Sequence, residues 1–412
     1  MTVVVLVLVG GGLYSAEMTP DSRVTSADAS GLALAVHTFE VRFTAHGLPA
    51  HTPWSVTLGG VSAQGNGPQL AFKVTNGTYA YTTSATGYVP TVAAGNVTMH
   101  GGYVPVAVRF TAAPAPADYI QHVVVIMLEN SNLSRILGDR AAESYQEYLY
   151  HTYARIPEYY AVCHSSPPNY IALVSGHTDA CQENATRDHV VDVGNLPDDL
   201  QAHGMSWGGY FESMATPCDR VRGTIYYGWL HDPFVDLEDI VDNQSRCDAH
   251  VVNSEAFNAS IANGTLPTFS YYVPNQLDDC HNSTRSFCDD WLRGFLSPIL
   301  NATAPAEADL VRHTAFFVVY DEGDYHGTDA GFNVSGVSTA YCVRHYGVTM
   351  SACGGSTYAV AISPYSLGTL DSADATDMDL TSTFEWLLGL PSDGGYDGGV
   401  DFPALTTLFT FP

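Results

Sequence analysis

Two pairs of oxygen-bearing side chains, Glu129-Asn130 and Asp321-Glu322, each stand directly after a short apolar run. Val/Ile-rich runs bounded by polar residues are typical of strands buried in a parallel sheet. Open α/β sheets bind their ligands at the carboxyl ends of such strands. The two pairs are therefore predicted to face one common site, and their oxygen atoms suit a divalent cation.

A serine lies between the two pairs, in the segment His164-Ser-Ser-Pro-Pro-Asn-Tyr170. Pro167 and Pro168 suit the first turn of a helix, so Ser166 is predicted at a helix N-terminus, which favours an anionic group such as phosphate. A serine hydroxyl becomes an effective nucleophile beside a metal or a base. These are the components of a metal-assisted phosphoryl-transfer site, although an ordinary helix cap also explains a serine here.

The elements that must position these residues are predicted from the same patterns. Beyond residue 117, β-type runs alternate with amphipathic segments, which indicates a doubly wound α/β domain. The predicted strands are Val123–Leu128, Thr314–Tyr320 and Tyr358–Ile362. The predicted helices include Pro168–Val174, Asp290–Leu300 and Leu380–Leu388.

A different pattern precedes this domain. Residues 32–112 alternate with period two, as in Phe39–Phe43 and Trp54–Leu58, and predict a small β-sandwich that ends with a strand at Val104–Phe110. Asn76-Gly77 lies between two such runs and predicts a β-hairpin.

The predicted domain boundaries follow from these changes of pattern. Residues 1–31 are interpreted as a signal-like segment and linker, 32–112 as the β-sandwich module, 113–117 as a stiff Ala/Pro linker, and 118–412 as the catalytic domain.

The charge balance argues against several kinds of partner. The formal net charge is −28, and Lys73 is the single lysine. No basic patch for nucleic acid or an anionic membrane is therefore expected. A pI near 4.6 leaves the chain almost neutral in an acidic medium. An acidic habitat is one interpretation, and a merely acidic soluble protein is the other.

Two features of the sequence, an apolar N-terminal segment and a set of glycosylation sequons, indicate export. Val3–Leu13 is an apolar stretch too short to span a bilayer, and Ser15-Ala16 follow it as in a signal peptide, although a basic flank is missing. No other transmembrane segment is expected. Ten Asn-X-Ser/Thr sequons suggest glycosylation, at Asn76, Asn96, Asn132, Asn184, Asn243, Asn258, Asn263, Asn282, Asn301 and Asn333.

The cysteines are a third indication of export. Eight are present, an even set without the spacing of a zinc site, which favours disulfides in an oxidising compartment. Cys280–Cys288 and Cys342–Cys353 are candidate local bridges, but eight cysteines allow many other pairings.

The motifs of the second domain together resemble the phosphoesterase family of acid phosphatases and phospholipases C, which has an alkaline-phosphatase-like fold. The matching segments occur in the family's order and cover nearly all of residues 118–412. They are Val-Val-Ile-Met-Leu-Glu129-Asn130, Ser166-Pro-Pro-Asn-Tyr-Ile-Ala-Leu-Val-Ser-Gly176, Ser206-Trp-Gly-Gly-Tyr-Phe-Glu212-Ser-Met, His231-Asp-Pro-Phe234, Val273-Pro-Asn-Gln-Leu-Asp-Asp279-Cys-His281, Val-Val-Tyr-Asp321-Glu322-Gly and Thr383-Phe-Glu-Trp-Leu-Leu-Gly-Leu-Pro391.

The first module has a resemblance of its own. Segments such as Phe43–Pro49, Trp54–Gly60 and Asn76–Tyr81 are similar to β-sandwich modules of surface and secreted proteins of acidophilic archaea. That resemblance implies a spacer or an adhesive module that could associate with the cell surface.

The family resemblance implies roles for the residues of the site. Glu129, Asn130, Asp321 and Glu322 would bind one metal ion, and Ser166 would be the nucleophile. An all-oxygen set favours Ca²⁺, Mg²⁺ or Mn²⁺, while an additional histidine would make Zn²⁺ possible.

The resemblance also implies residues for substrate binding and proton transfer. His281 would contact the phosphate and protonate the leaving group, and His164 is a second candidate for proton transfer. Asn169 and Asp279 are further substrate-binding candidates from matched motifs. His231 also lies in a matched motif, but loop hydrogen bonding explains it equally well.

The chain departs from the family late in the sequence. Many relatives carry a histidine shortly before the closing helix, where this chain reads Thr376-Asp-Met-Asp-Leu380. Many also carry Gly-Gly-His where this chain has Gly354-Gly-Ser. The departures could lower activity or shift substrate preference, or His326 could replace a missing histidine.

The expected function is a secreted, metal-dependent acid phosphatase that hydrolyses phosphomonoesters through a phosphoserine intermediate. A phospholipase C-like phosphodiesterase is the alternative within enzymes. A non-catalytic cell-surface adhesion protein is the alternative outside them.

Overall fold

A computed structural model of the chain describes residues 37–112, 115–138, 144–162, 166–177, 190–221, 226–323, 354–391 and 402–412, together with the backbone of 5–9 and 12–16. The chain divides into two units, Met1–Pro114 and Ala115–Pro412.

The described residues of the N-terminal unit form strands and no helices. They are β1 (Val5–Val9), β2 (Gly12–Ala16), β3 (Phe39–His46), β4 (Trp54–Leu58), β5 (Val61–Gly65), β6 (Gln69–Val74), β7 (Gly77–Ser84), β8 (Tyr88–Pro90), β9 (Ala94–Met99) and β10 (Val104–Ala112). One sheet has the order β2-β1-β6-β3-β10-β8 and the other β5-β4-β7-β9. Trp54 of the second sheet packs edge-on against Phe110 of the first, at 6.0 Å between ring centroids, inside a shared apolar core. This arrangement confirms the predicted all-β module.

The hairpin predicted at Asn76-Gly77 is wrong. Strand β6 before this turn pairs with β3, whereas β7 after it pairs with β4 and β9. The turn therefore carries the chain from one sheet to the other. An Asn-Gly pair predicts that the backbone turns. It does not predict which strands pair, because the sheet that β6 joins depends on the burial of Phe72 and Val74 in the core.

The C-terminal unit is built on a seven-stranded sheet of the order β12-β19-β17-β11-β16-β14-β15. Five adjacent strands, β17, β11, β16, β14 and β15, run parallel. At one edge, β19 pairs antiparallel with β17, and β12 pairs antiparallel with β19. The strands are β11 (His122–Leu128), β12 (Ala154–Arg155), β14 (Trp207–Phe211), β15 (Val251–Asn253), β16 (Phe269–Val273), β17 (Thr314–Tyr320) and β19 (Ala359–Ile362). A small sheet joins β13 (Tyr159–Ala161) to β18 (Gly355–Ser356) and β20 (Ala375–Thr376).

Helices cover both faces of the large sheet. They are α1 (Leu133–Gly138), α2 (Ser144–Thr152), α3 (Ser166–Ser175), α4 (Leu196–Ala202), α5 (Glu238–Val241), α6 (Gln244–His250), α7 (Glu255–Asn263), α8 (Arg285–Leu300), α9 (Pro305–Arg312) and α10 (Asp377–Leu388). Short 3-10 helices occupy Pro116–Asp118, Trp229–His231, Pro233–Val235 and Thr406–Leu408.

The central strands are buried on both faces. In β11, Val123, Val125 and Met127 enter one apolar core, while Val124, Ile126 and Leu128 enter the other. Such a strand needs apolar residues at every position, which explains its continuous run of Val, Ile, Met and Leu. The first core contains α3 and α10, and the second contains α2, α7 and α8. The predicted α/β class with a mostly parallel sheet is confirmed.

The predicted elements agree with the structure most closely at the strands. Thr314–Tyr320 is a strand over the same residues, and the other two differ by one residue at their first positions. The three predicted helices begin earlier than expected, at Ser166, Arg285 and Asp377. Each of these first residues is polar, and α8 begins after the cap Thr284, whose side chain accepts from the Phe287 amide. Apolar periodicity therefore does not reveal the starts.

Two disulfides lie among the described residues. Cys280–Cys288 confirms one predicted local bridge, and Cys218–Cys247 is a second bridge that the sequence left open. Cys342 and Cys353 lie outside the described residues. Within the described ranges, no helix combines the length and apolar character needed to cross a membrane.

Candidate active site

The candidate site lies at the carboxyl edge of the parallel strands. Glu129 follows β11, Asp321 follows β17, and Asp279 lies in the loop after β16. Backbone hydrogen bonds join these ends: the Asp321 amide donates to Leu128 O at 3.0 Å, and the Glu129 amide donates to Asp279 O at 2.8 Å. All three acidic side chains are completely buried.

Asn130 makes a sharp turn directly after β11. Its φ of 46° lies in the left-handed region, which asparagine tolerates better than most residues. In this conformation its amide N–H donates to Asp321 Oδ1 at 2.9 Å, and its side-chain amide donates to Glu129 Oε2 at 2.7 Å. Asn130 therefore holds the two carboxylates at neighbouring strand ends.

Gly323 allows the second acidic pair to approach closely. A Cβ atom at this position would lie 2.3 Å from Asn132 Oδ1 and 3.2 Å from the carbonyl oxygen of Ser356. The Ser131 amide also donates to the Glu322 carbonyl oxygen at 3.1 Å. A side chain at position 323 would displace the Asn132 side chain and crowd the Ser356 carbonyl, next to Asp321-Glu322.

Helix α3 brings the serine to this edge. Ser166 is its first residue, and its hydroxyl donates to Glu129 Oε2 at 3.0 Å. One turn later, the Tyr170 hydroxyl donates to Glu129 Oε1 at 2.6 Å. Residues four apart lie on the same helix face, so one face of α3 contacts both oxygens of a single carboxylate.

His231 is buried in the same cluster. It ends the 3-10 helix Trp229–His231, with Nε2 3.2 Å from Glu129 Oε1 and Nδ1 3.4 Å from Asp279 Oδ2. Its ring stacks on Tyr170 at 5.3 Å between centroids. Sequence reasoning singled out His231 only as one member of a matched motif and left its role open.

His281 lies at the exposed side of the cluster. Its backbone N–H donates to Asp279 Oδ1 at 2.7 Å, and its ring centroid is 5.4 Å from that of His231. One potential ligand atom from each of Glu129, His231 and His281 lies within 4.8 Å of the other two. The described residues therefore include a triad that could hold a metal ion.

The electrostatics of the cluster favour a cation. Burial, together with repulsion from Asp279 and Glu322, raises the pKa of Glu129 well above its usual range. Burial and the neighbouring Glu129 and Glu322 do the same to the pKa of Asp321. Asp321 Oδ2 is buried without a hydrogen-bond partner among the described residues. A divalent cation would satisfy this oxygen and offset the repulsion among the carboxylates.

The sequence-based candidates occupy different places. Glu129, Asn130, Asp321 and Ser166 come together, and Glu322 is buried beside them at 5% exposure. Asn169 is fully buried in α3, three residues after Ser166. His164 and His326 lie outside the described residues. The residues that sequence reasoning missed are Tyr170 and the role of His231; the spacing of four between Ser166 and Tyr170 is the signal that could have revealed the first.

Comparison with known proteins identifies the family. The model of the Phosphoesterase family matches residues 139–372, which is more than half of the chain. The chain belongs to the Phosphoesterase family. The matched region includes Ser166, His231, His281, Asp321 and Glu322, and Glu129-Asn130 lie just before it.

Individual relatives agree with this family. The chain is 28% identical over 212 residues to a "Probable acid phosphatase" of Kluyveromyces lactis, covering 49% of this chain and 48% of that protein. It is 26% identical over 273 residues to a "Phosphatidylinositol-3-phosphatase" of Mycobacterium tuberculosis, covering 66% of this chain and 78% of that protein. The match to an "Acid phosphatase" of Aspergillus fumigatus covers 44% of that protein, so the chain spans about half the length of these two fungal relatives.

A solved structure from Vibrio parahaemolyticus, described as a protein in the alkaline phosphatase superfamily, aligns with a TM-score of 0.44 at 14% identity. The alignment covers 68% of this chain and 69% of that structure.

Proposed function

We propose that this protein is an exported, metal-dependent acid phosphatase that hydrolyses phosphomonoesters through a phosphoserine intermediate at Ser166. One observation carries the proposal. The Ser166 hydroxyl lies at the N-terminus of a buried helix and 3.0 Å from Glu129, within a cluster of buried carboxylates. Membership of the Phosphoesterase family and the acid phosphatases among its relatives support this reading.

The residues present fit a divalent metal ion. Glu129, Asn130, Asp321 and Glu322 would hold it through oxygen, and the unpartnered Asp321 Oδ2 supports this assignment. His231 and His281 add imidazole nitrogen beside Glu129, so Zn²⁺ joins Ca²⁺, Mg²⁺ and Mn²⁺ as a candidate. When bound, the ion would favour ionisation of a nearby hydroxyl and balance the charge on the transferring phosphoryl oxygens.

In the first half of the reaction, Ser166 Oγ attacks phosphorus and the bond between phosphorus and the ester oxygen breaks. Glu129 Oε2, which accepts from the Ser166 hydroxyl at 3.0 Å, takes the serine proton. The leaving alkoxide takes a proton from His281, which stands at the exposed side of the site. The positive end of the α3 dipole lies at Ser166 and favours the negatively charged phosphate.

In the second half, water attacks the phosphoserine in line with the bond to Ser166 Oγ. His281, neutral after the first half, accepts a proton from this water. The bond between phosphorus and Oγ then breaks, Ser166 recovers its proton from Glu129, and inorganic phosphate leaves. The sum of both halves is ester plus water giving alcohol plus phosphate.

Export to an acidic medium is part of the proposal. The disulfides Cys218–Cys247 and Cys280–Cys288 favour an oxidising compartment, and the low pI suits an acidic one. The β-sandwich module is proposed as a spacer or as a means of cell-surface association.

The alternatives remain distinguishable by assay. A phosphodiesterase of the phospholipase C type would turn over aryl phosphodiesters faster than aryl phosphomonoesters. A non-catalytic adhesion protein would turn over neither, and the clustered Glu129, Asp321 and Ser166 count against it.

The proposal is tested with the variant Ser166→Ala and its matched control Ser175→Ala. Ser175 is a buried serine at the other end of α3 whose hydroxyl donates to Ile171 O at 2.7 Å. Release of phosphate from an aryl phosphomonoester at acidic pH is expected to fall to background in Ser166→Ala and upon chelation, but to persist in Ser175→Ala. Wild-type turnover by a folded Ser166→Ala protein would refute the assignment of the nucleophile.

A further inference from the structure

The two oxygens of the Glu129 carboxylate have different neighbours. Oε2 accepts from Ser166 Oγ at 3.0 Å and from the Asn130 side-chain amide at 2.7 Å. Oε1 accepts from the Tyr170 hydroxyl at 2.6 Å and lies 3.2 Å from His231 Nε2. One oxygen therefore faces the proposed nucleophile, and the other faces a tyrosine that takes no part in the reaction described above.

Helix α3 supplies both hydroxyl contacts. Because Ser166 and Tyr170 are four residues apart, they present a pair of donors to opposite oxygens of the same carboxylate. The two hydrogen bonds thus hold the plane of the Glu129 carboxylate in one orientation relative to α3. Neither donor alone would stop the carboxylate from rotating about its terminal bond, which is a soft torsion.

Tyr170 is itself held rigidly. It is completely buried, and its ring stacks on His231 with an interplanar angle of 16°. The Tyr271 ring packs on it at 6.3 Å between centroids. A hydroxyl on so constrained a ring acts as a fixed donor, which is the property that orienting a metal ligand requires.

We infer that Tyr170 is a positioning residue of the active site: its hydroxyl fixes the Glu129 carboxylate so that Oε2 holds Ser166 and the carboxylate is oriented to receive the metal ion. This inference deepens the proposed function and rests on it for the role of Ser166. The orientation of Glu129 toward a metal is a property of the binding site, and it is measurable without any turnover.

The chain offers a closely matched control. Tyr271 is also a completely buried tyrosine of the same core, but its hydroxyl has no hydrogen-bond partner among the described residues. Tyr170→Phe and Tyr271→Phe each remove one buried hydroxyl and keep the ring. Only the first removes a contact with Glu129.

The experiment measures metal affinity and steady-state kinetics for the wild type and both variants. Mn²⁺ alone is titrated into the metal-free full-length protein by calorimetry, and thermal unfolding of each protein verifies that it is folded. For Tyr170→Phe, the dissociation constant for Mn²⁺ is expected to rise, and kcat to fall, by about 10-fold to 100-fold each, the range for losing a hydrogen bond that orients a metal ligand. The KM for an aryl phosphate is expected to stay within about twofold, because Tyr170 does not contact the substrate. Tyr271→Phe should match the wild type in all three quantities.

Two results would overturn the inference. One is a folded Tyr170→Phe protein with wild-type Mn²⁺ affinity and kcat. The other is an equal loss in Tyr271→Phe, which would show that removing any buried hydroxyl from this core has the same effect. If the wild type binds Mn²⁺ but hydrolyses no phosphate ester, the proposed function fails, whereas the comparison of Mn²⁺ affinities still decides whether Tyr170 orients Glu129.

Discussion

At the scale of single residues, the site is organised around Glu129. A completely buried carboxylate is costly unless it is paired or neutralised. The described neighbours of Glu129 include three further acids, Asp279, Asp321 and Glu322. Ser166, Tyr170 and Asn130 donate hydrogen bonds to it, but hydrogen bonds alone leave the negative charges close together. Crowded acids with raised pKa values are characteristic of functional sites, and we propose that this one binds a cation.

The variant Asp321→Asn tests whether repulsion among the buried carboxylates destabilises the metal-free protein. The substitution removes one negative charge and can keep the contact with the Asn130 amide, so the free energy of unfolding of the metal-free protein should rise, by about 1 kcal/mol or more. Affinity for Mn²⁺ and phosphatase activity should both fall at least tenfold.

Asp289→Asn is the matched control, because Asp289 is a buried carboxylate with a structural role. It accepts hydrogen bonds from the backbone amides of Tyr145 and Gln146 at the start of α2. Its substitution should lower the free energy of unfolding by about 1–2 kcal/mol and leave metal affinity unchanged. Chemical denaturation of both metal-free variants measures whether the free energy of unfolding rises in Asp321→Asn and falls in Asp289→Asn. Destabilisation by Asp321→Asn to the same extent as Asp289→Asn would argue against a cation site.

At the scale of elements, the loop after β16 carries Asp279 and His281, and the Cys280–Cys288 disulfide ties this loop to α8. The Cys280 φ of 83° places its backbone in the left-handed region. Cys280 thus forms a sharp turn between its two neighbours, Asp279 and His281. The second disulfide, Cys218–Cys247, joins the loop after β14 to α6.

Removing each disulfide by paired alanine substitutions should separate stability from activity. The chain-entropy relation assigns about 2.5 kcal/mol to closing the shorter loop and about 3.6 kcal/mol to closing the longer one, for sequence separations of 8 and 29. Loss of Cys218–Cys247 should therefore cost more stability, whereas loss of Cys280–Cys288 should cost more kcat, because it frees His281. Chemical denaturation and steady-state kinetics measure the free energy of unfolding and kcat of both variants. If the variant that loses more stability also loses more kcat, the prediction is contradicted.

The elements also mark how far the sequence could predict the structure. Thr314–Tyr320 was predictable to the residue because a strand buried on both faces must be apolar throughout. The start of α8 at Arg285 was not, because Arg285 and Ser286 are polar and the cap Thr284 sets where the helix begins. The turn at Asn76-Gly77 was predictable but its pairing was not, because pairing depends on distant strands. The spacing of four places Ser166 and Tyr170 on one face of α3. The contacts that Tyr170 and His231 make with Glu129 join residues 41 and 102 positions apart, so the partner of each becomes visible only in the fold.

At the scale of the whole molecule, buried acids determine how stability depends on pH. Burial raises the pKa of Asp377, Asp379, Asp236 and Glu212 to about 7, from ordinary values of 3.8 for aspartate and 4.5 for glutamate. A group whose pKa is raised in the folded state stabilises the fold fully below its unfolded pKa, and this contribution is lost as the pH rises through the folded pKa. The metal-free protein should therefore be most stable near pH 4 and lose stability steadily toward pH 7.

Thermal unfolding of the metal-free protein between pH 4 and pH 8 measures this dependence. In that window each such group changes the free energy of unfolding by up to about 1.4 kcal/mol per pH unit. Asp377→Asn should make the slope shallower by up to that amount, since Asp377 is completely buried. A melting temperature that rises between pH 4 and pH 7 in the absence of metal would contradict the prediction. The expected dependence suits a protein that works in an acidic medium.

The central claim is that Ser166 carries the phosphoryl group during turnover. The most direct measurement mixes the metal-loaded wild-type protein with an aryl phosphomonoester, quenches the reaction in acid within the first turnover, and maps phosphorylation by peptide mass spectrometry. The account predicts phosphate on the peptide that contains Ser166, none in Ser166→Ala, and labelling in Ser175→Ala equal to that of the wild type. Phosphate on another residue, or full activity with no phosphorylated peptide at any quench time, would contradict it.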